Sequence, residues 1–175
     1  MRSFFEYMIR QETENAKKGL PSGITVKVNS LVDPKIIELL YEAQAAVRVQ
    51  LIVRGICCLI PGIEGVSENI TVMSIVGQLL EHSRIFRFEN AGNPRIYMGS
   101  ADWMPRNLDR RVELVFPIED ETQKARAFGI LDTMLSDTTN ARFMQSDTSY
   151  EHVDLRGKKK ISSQLTFYHE AQARL

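Results

Sequence analysis

The chain has 175 residues, 43% of them hydrophobic, which suits one α/β-sized domain with a buried core. Its formal net charge is zero, so total charge does not point to a nucleic-acid or membrane surface; any anion binding has to come from arginines clustered locally. No apolar run approaches the ~18 residues that span a bilayer, and the N-terminus lacks the apolar stretch of a signal peptide, so a cytoplasmic protein is expected.

In chain order, "RSFFEYMIRQETENAKKG" has helical spacing with a glycine stop at Gly19, and Pro21-Ser22-Gly23 reads as a linker. "ITVKVNSL" is a β-branched strand. Asp33-Pro34 supplies an N-cap and a proline for the first helical turn, and Ile36, Ile37, Leu40 and Ala43 then share one helical face. "RVQLIVRGICCLI" is the most apolar segment and reads as a strand buried on both faces. The strand–helix–strand order predicts a parallel pair with a right-handed crossover.

Adjacent Cys57 and Cys58 would point to opposite faces of that strand, badly placed to bridge each other or share a metal. They read as small buried apolar residues of a reducing compartment. "PGIEGVSENI" is a loop, "TVMSI" a short strand and "IVGQLLEH" a helix. "SRIFRF" and "RIYMGSAD", separated by "ENAGNP", predict a hairpin. "RRVELVFPI" is a further strand, and "EDETQKARAFGILDTMLSD" a long helix with acidic residues in its first turn. From about Thr138 the chain is polar and mixed, with a basic run over 156–160 and a last helix.

Arg54 follows four apolar residues at the carboxyl end of a predicted strand, where open α/β sheets gather ligands. A guanidinium there invites an anion; pairing with an internal carboxylate such as Glu68 or Asp102 is the equal alternative. His82 and Arg84 lie two apart, so on a strand both would meet one phosphoryl group; a helix-capping histidine is the alternative. From His82 the pattern is His-x-Arg-x4-Glu89, followed after a turn by Gly99-Ser100-x-Asp102. It resembles the His-x-Lys-x4-Asp and Gly-Ser-x-Asn signature of the phospholipase D superfamily, with arginine, glutamate and aspartate substituted at three positions and a longer spacer.

Longer strings are more specific. "KVNSLVDPKIIELLYEAQAAV", "LIVRGICCLIPGIEGVSENI", "SIVGQLLEHSRIFRFENAG" and "GSADWMPRNLDRRVE" resemble the carboxyl-terminal domain of bacterial polyphosphate kinase, the type-one family, from the first helix to about Arg142 and more loosely beyond. The resemblance implies an α/β, phospholipase-D-like domain whose mixed, mostly parallel sheet is flanked by helices. It divides the chain into residues 1–21 (helix and linker from a preceding domain), a catalytic core over 22–145 and a polar tail over 146–175. The implied reaction is reversible transfer of the ATP γ-phosphoryl group to inorganic polyphosphate with Mg2+. The phosphorylated histidine, the Mg2+-linked arginines and a nucleotide-contacting tyrosine belong to the preceding domain and are not in this chain.

By the same resemblance Arg54 matches the ATP-binding arginine, and His82 matches an essential second histidine acting as acid/base. Arg84 and Ser100 become phosphate-binding candidates. Lys27, Asn29, Arg106, Arg110 and Arg111 become candidate polyphosphate contacts. For the last three, surface pairing with Asp109 and Glu113 is equally open, and Asn29 could instead shape the turn into the next helix. No metal ligand is expected in this chain. Implied partners are ATP or ADP, polyphosphate and the remaining domains, in an enzyme oligomeric at full length, with no nucleic acid; membrane association of the full-length enzyme is left open. Two alternatives stand beside this reading: a binding module without turnover when isolated, and a phospholipase-D-like phosphodiesterase. Trp103 is expected to pack against the hairpin, and His152 and His169 receive no role.

Overall fold

In the computed structural model, which describes residues 1–157 and 159–174, α1 (Arg2–Lys17) stops where Gly19 takes φ +68°, a conformation that glycine enters without a Cβ clash. The start of α2 (Pro34–Ala43) follows from its sequence: Asp33 accepts the Ile36 N–H at 3.0 Å and Pro34 fills the first turn. The Arg2 guanidinium grips Asp33 and also Asp109, at the end of α3 (Pro105–Asp109), which ties three helix ends together.

The strands are β1 (Ile24–Val28), β2 (Val49–Val53), β3 (Ile70–Ile75), β4 (Arg84–Phe88), β5 (Arg95–Gly99), β6 (Val115–Pro117), β7 (Ala141–Met144) and β8 (Tyr150–His152). Among the described residues they form one sheet in the order β6-β5-β4-β1-β2-β3-β7-β8. The sheet is mixed as expected, but it is not mostly parallel. Only β1–β2 and β2–β3 pair parallel; the other five pairings are antiparallel. The short links of the β4–β5 and β7–β8 hairpins permit no other sense.

Period-two alternation sends side chains to two cores. Leu51, Val53, Val26, Val72 and Phe86 meet α1 and α2 on one face, where Phe5 and Ile9 are fully buried. Ile52, Met73, Ile85 and Ile96 meet α4 (Glu121–Leu135) through Leu131 and Met134 on the other. Helix α1 therefore packs into the same core as the sheet. Its buried Glu12 accepts the Gly23 and Asn90 amides, at 2.9 and 2.7 Å, joining the helix to the linker and the hairpin turn. Burial pushes the Glu12 carboxyl up, against those two hydrogen bonds. Trp103 packs, as expected, against Phe86 of the hairpin and also against Phe5.

Three expectations are corrected. Residues 76–83 are irregular, not helical: Leu79 and Leu80 are exposed, and the Gln164 side chain bonds both the Leu79 amide (3.0 Å) and its carbonyl (2.7 Å) in place of a helical ladder. Strand β2 ends at Val53, so the cysteines lie beyond it, and Cys58 is exposed rather than buried. The polar stretch from about Thr138 supplies two strands, β7 and β8, besides the expected last helix, α5 (Ser163–Gln172). No helix of the described residues is long and apolar enough to cross a membrane.

Candidate functional site

Strand sense decides where the polar residues meet. Because β4 runs antiparallel to β1, with Lys27 opposite Ile85, the start of β4 lies beside the end of β1. Arg84 stands opposite Gly99, so the end of β5 arrives at the same place. Arg54 follows β2 directly, its amide 3.4 Å from the Val28 carbonyl. Segments distant along the chain thus deliver Lys27, Asn29, Arg54, His82, Arg84, Ser100 and Asp102 to one end of the sheet. Glu89, the acidic member of the altered signature, follows the opposite end of β4 and pairs with Arg87.

Lys27 is 1% exposed, and its ammonium donates to the Ser83 carbonyl at 2.9 Å with Glu81 3.9 Å away. Burial lowers its pKa to about 8; the positive charges of Arg54 and Arg84 push the same way, while Glu81 and Asp102 oppose them. Lys27, Arg54 and Arg84 therefore form one electrostatic cluster. Such crowding of cations costs free energy, which Glu81 and Asp102 partly offset.

Asp102 organises the cluster. It accepts the Asn29 amide at 2.7 Å and a fork from Arg84, Nε at 3.2 Å and Nη2 at 2.9 Å. Burial alone would raise its carboxyl; the Arg84 and Asn29 hydrogen bonds hold it below the usual carboxylate range. Arg84 Nη1 turns to His82, lying 2.8 Å from Nδ1 and 2.7 Å from the backbone carbonyl. The pair expected to share a strand face meets by a different route, since His82 precedes β4 and the Arg84 side chain reaches back to it. Four of the five N–H groups that a guanidinium carries are thereby used within the protein. His82 itself is exposed.

Arg54 is differently placed. Asp102, one of its two candidate carboxylate partners, is committed to Arg84 and Asn29 instead. The Arg54 Nε is buried and finds no hydrogen-bond partner among the described residues, and the same holds for Asn29 Oδ1. Its backbone is fixed: Gly55 N–H bonds the Asn29 carbonyl at 2.7 Å, and Ser74 Oγ approaches the Arg54 carbonyl at 3.5 Å. A buried guanidinium nitrogen without an acceptor calls for a partner, which an ordered water or a bound anion would supply.

The remaining candidates have other partners or none of the contacts above. Ser100 is exposed and hydrogen-bonded to Glu113, and its oxygen also accepts the Leu114 amide at 3.1 Å. Arg111 pairs with Glu113 at 3.4 Å, as one of the alternatives had it. Asp109, by contrast, bonds Arg2 rather than its neighbouring arginines. Arg106 and Arg110 are exposed at α3. Lys158, within the basic run, lies outside the described residues. These residues do not suit Mg2+: among the described residues no cluster of His, Cys, Asp or Glu could hold a metal ion, and Asp102 is already spent on Arg84 and Asn29.

Sequence reasoning missed Lys27 as a strut for the His82 segment, and it missed Gln164 altogether. The signal for Lys27 was a single charge inside "ITVKV"; Gln164 offers no local signal, acting across 85 residues.

A family model described as "Polyphosphate kinase C-terminal domain 2" matches residues 1–164. The chain belongs to this family. It is 50% identical over 173 residues to a polyphosphate kinase of Lactiplantibacillus plantarum, covering 98% of this chain and 24% of that protein. It is 57% identical over 151 residues to one of Parasynechococcus marenigrum, covering 86% and 21%. The chain thus spans about a quarter of the length of these relatives. The crystal structure of polyphosphate kinase from Porphyromonas gingivalis superposes with a TM-score of 0.94 at 36% identity, over 99% of this chain and 27% of that one. Nuc from Salmonella typhimurium, a phospholipase D family member, matches at a TM-score of 0.55 and 14% identity, over 80% of this chain and 90% of that one. That likeness is one of fold alone, and the fold is phospholipase-D-like.

Proposed function

We propose that this family member contributes one half of a phosphoryl-transfer site, in which the γ-phosphoryl group of ATP passes reversibly to inorganic polyphosphate by way of a phosphohistidine in a neighbouring domain. Arg54 binds nucleotide or chain phosphate, Lys27 adds positive charge from beneath, and His82 meets the transferred group at the surface. Arg106, Arg110 and Arg111 extend the basic surface along a polyanion. Transfer of this kind needs positioning and charge stabilisation more than covalent chemistry from the protein, which suits a site made of cations and one imidazole. Mg2+, the attacking histidine, oligomerisation and any membrane association belong to the rest of the enzyme, and the domain alone binds without turnover.

One observation carries this reading: Lys27, Arg54 and Arg84 crowd one end of the sheet, where a buried Arg54 nitrogen lacks an acceptor among the described residues. Titrating polyphosphate into the 175-residue chain by calorimetry, beside Arg54→Ala and His82→Ala, tests it. Affinity is expected to fall roughly tenfold for Arg54→Ala, the loss of one charge-assisted hydrogen bond. Equal affinities in all three proteins would remove these side chains from the site. Radiolabel retained on the isolated chain after incubation with ATP and Mg2+ would overturn the view that it lacks turnover.

A further inference from the structure

We propose that Arg84 is a positioning residue that fixes His82 as the neutral Nε2–H tautomer, so that His82 donates a hydrogen bond to phosphoryl oxygen without giving up its proton. The inference rests on His82 facing the transferred group, as proposed above. It goes further by assigning the state of the imidazole and the residue that sets it.

A guanidinium has donors only and does not lose its proton in proteins. Arg84 Nη1 lies 2.8 Å from His82 Nδ1, so Nδ1 must accept, and the proton of the neutral ring sits on Nε2. The arrangement is held from both sides. Nη1 also binds the His82 carbonyl at 2.7 Å, while Nε and Nη2 are forked onto Asp102, itself anchored to the Asn29 amide. Backbone around the ring is pinned by Lys27 at Ser83 and by Gln164 at Leu79. Ring orientation and proton placement are thus decided before substrate binds.

Chemical consequences follow for both nitrogens. Nδ1 is covered by Arg84, and Nε2 carries a hydrogen, so neither offers a lone pair to phosphorus. As the histidine of the neighbouring domain forms its bond to the γ-phosphorus and the bond from that phosphorus to the bridging oxygen breaks, the electron pair of the broken bond stays on the terminal phosphate of the departing nucleoside diphosphate. Nε2–H stabilises that developing charge and no proton moves. A diphosphate is a good enough leaving group to depart unprotonated, so the acid/base role expected from sequence is replaced by electrostatic donation.

Nitrogen-15 spectra of the histidine-labelled 175-residue chain test the tautomer, with the His82 signals assigned by their loss in His82→Gln. The expected wild-type pattern at mildly alkaline pH is an unprotonated Nδ1 and a protonated Nε2. In Arg84→Lys, which keeps a charge beside Asp102 but cannot fork to both partners, the signals move toward the average of two tautomers. A protonated Nδ1 in the wild type overturns the proposal whether or not any variant folds, as does an unchanged pattern in folded Arg84→Lys. Polyphosphate affinity of Arg54→Ala is read separately: if it is unchanged the phosphate-site reading fails, whatever the tautomer.

Discussion

The Lys27 ammonium lies 2.9 Å from the carbonyl oxygen of Ser83, 56 residues further along, and so braces the residue after His82 from inside the sheet. Its full burial makes that brace sensitive to pH. In the unfolded chain the group titrates near 10.5, and burial lowers the folded value to about 8. Below both values each state holds the proton and a constant penalty applies. Between them the unfolded chain binds more protons, so stability rises with pH by about 3 kcal/mol at most. Urea unfolding of the wild type and of Lys27→Met across this window is expected to show that rise only in the wild type. Wild-type stability that falls or stays flat with rising pH relative to that of Lys27→Met would count against a buried, depressed ammonium.

Phosphate binding should couple to the same proton. An anion beside Lys27 favours the charged form, so near pH 8 to 9 binding of polyphosphate takes up as much as about one proton per site. Calorimetry in two buffers of different ionisation enthalpy measures the uptake. It is expected to vanish near about pH 6.5, where Lys27 is already charged, and to be absent in Lys27→Met. Uptake that persists in the variant would place the titrating group elsewhere.

Gly55 controls the approach of Arg54. A Cβ at this position would stand 2.9 Å from the Asn29 carbonyl oxygen and 3.4 Å from Ser30 Oγ. The Gly55→Ala substitution must therefore shift the turn that carries Arg54, breaking the 2.7 Å bond between the Gly55 amide and Asn29. Polyphosphate affinity is expected to drop several-fold with unfolding free energy reduced by about 1–2 kcal/mol. Wild-type affinity in this variant would show that the turn does not aim Arg54.

Asp137 is the hinge-pin of the C-terminal part. One of its oxygens accepts the Thr139, Asn140 and Ala141 amides, and the other accepts the Ser163 amide and hydroxyl, both at 2.7 Å. Burial opposes the charge, but these donors hold its carboxyl below the usual range. Stability from this group is therefore present above the unfolded carboxylate value and lost as pH falls through the lower folded one. Asp137→Ala strands several buried donors and is expected to cost about 3 kcal/mol. Amide exchange over 163–172 should quicken, along with that of Leu79, because Gln164 rides on the same helix.

Much of this was readable in advance where the information is local. Asp33-Pro34 announces α2, and the four apolar residues counted on its face are all buried. The hairpin follows from "ENAGNP" between two alternating runs, although its turn holds Asn90 and Ala91 at positive φ rather than a simple two-residue loop. What escaped was long-range and polar. Residues 76–83 have helical spacing, yet Gln164 bonds the Leu79 backbone from 85 residues away. The hydrogen bonds that Glu12 and Asp137 accept from distant amides, and that Lys27 donates to a distant carbonyl, leave no periodic trace either. Arg84 was legible as a candidate by spacing from His82, but its commitment to Asp102 depends on strand order, which sets β4 between β1 and β5.

Both outermost strands are only three residues long, and β6 finishes on Pro117, which has no N–H to offer. Rows of unpaired main-chain groups are what let one sheet grow onto another, and here the rims present very few. A broad eight-stranded surface is thus blunted at either margin, giving a neighbouring molecule almost no template for strand addition. Any contact with a neighbouring molecule is left to side chains and loops, where it can form and release without reopening the sheet.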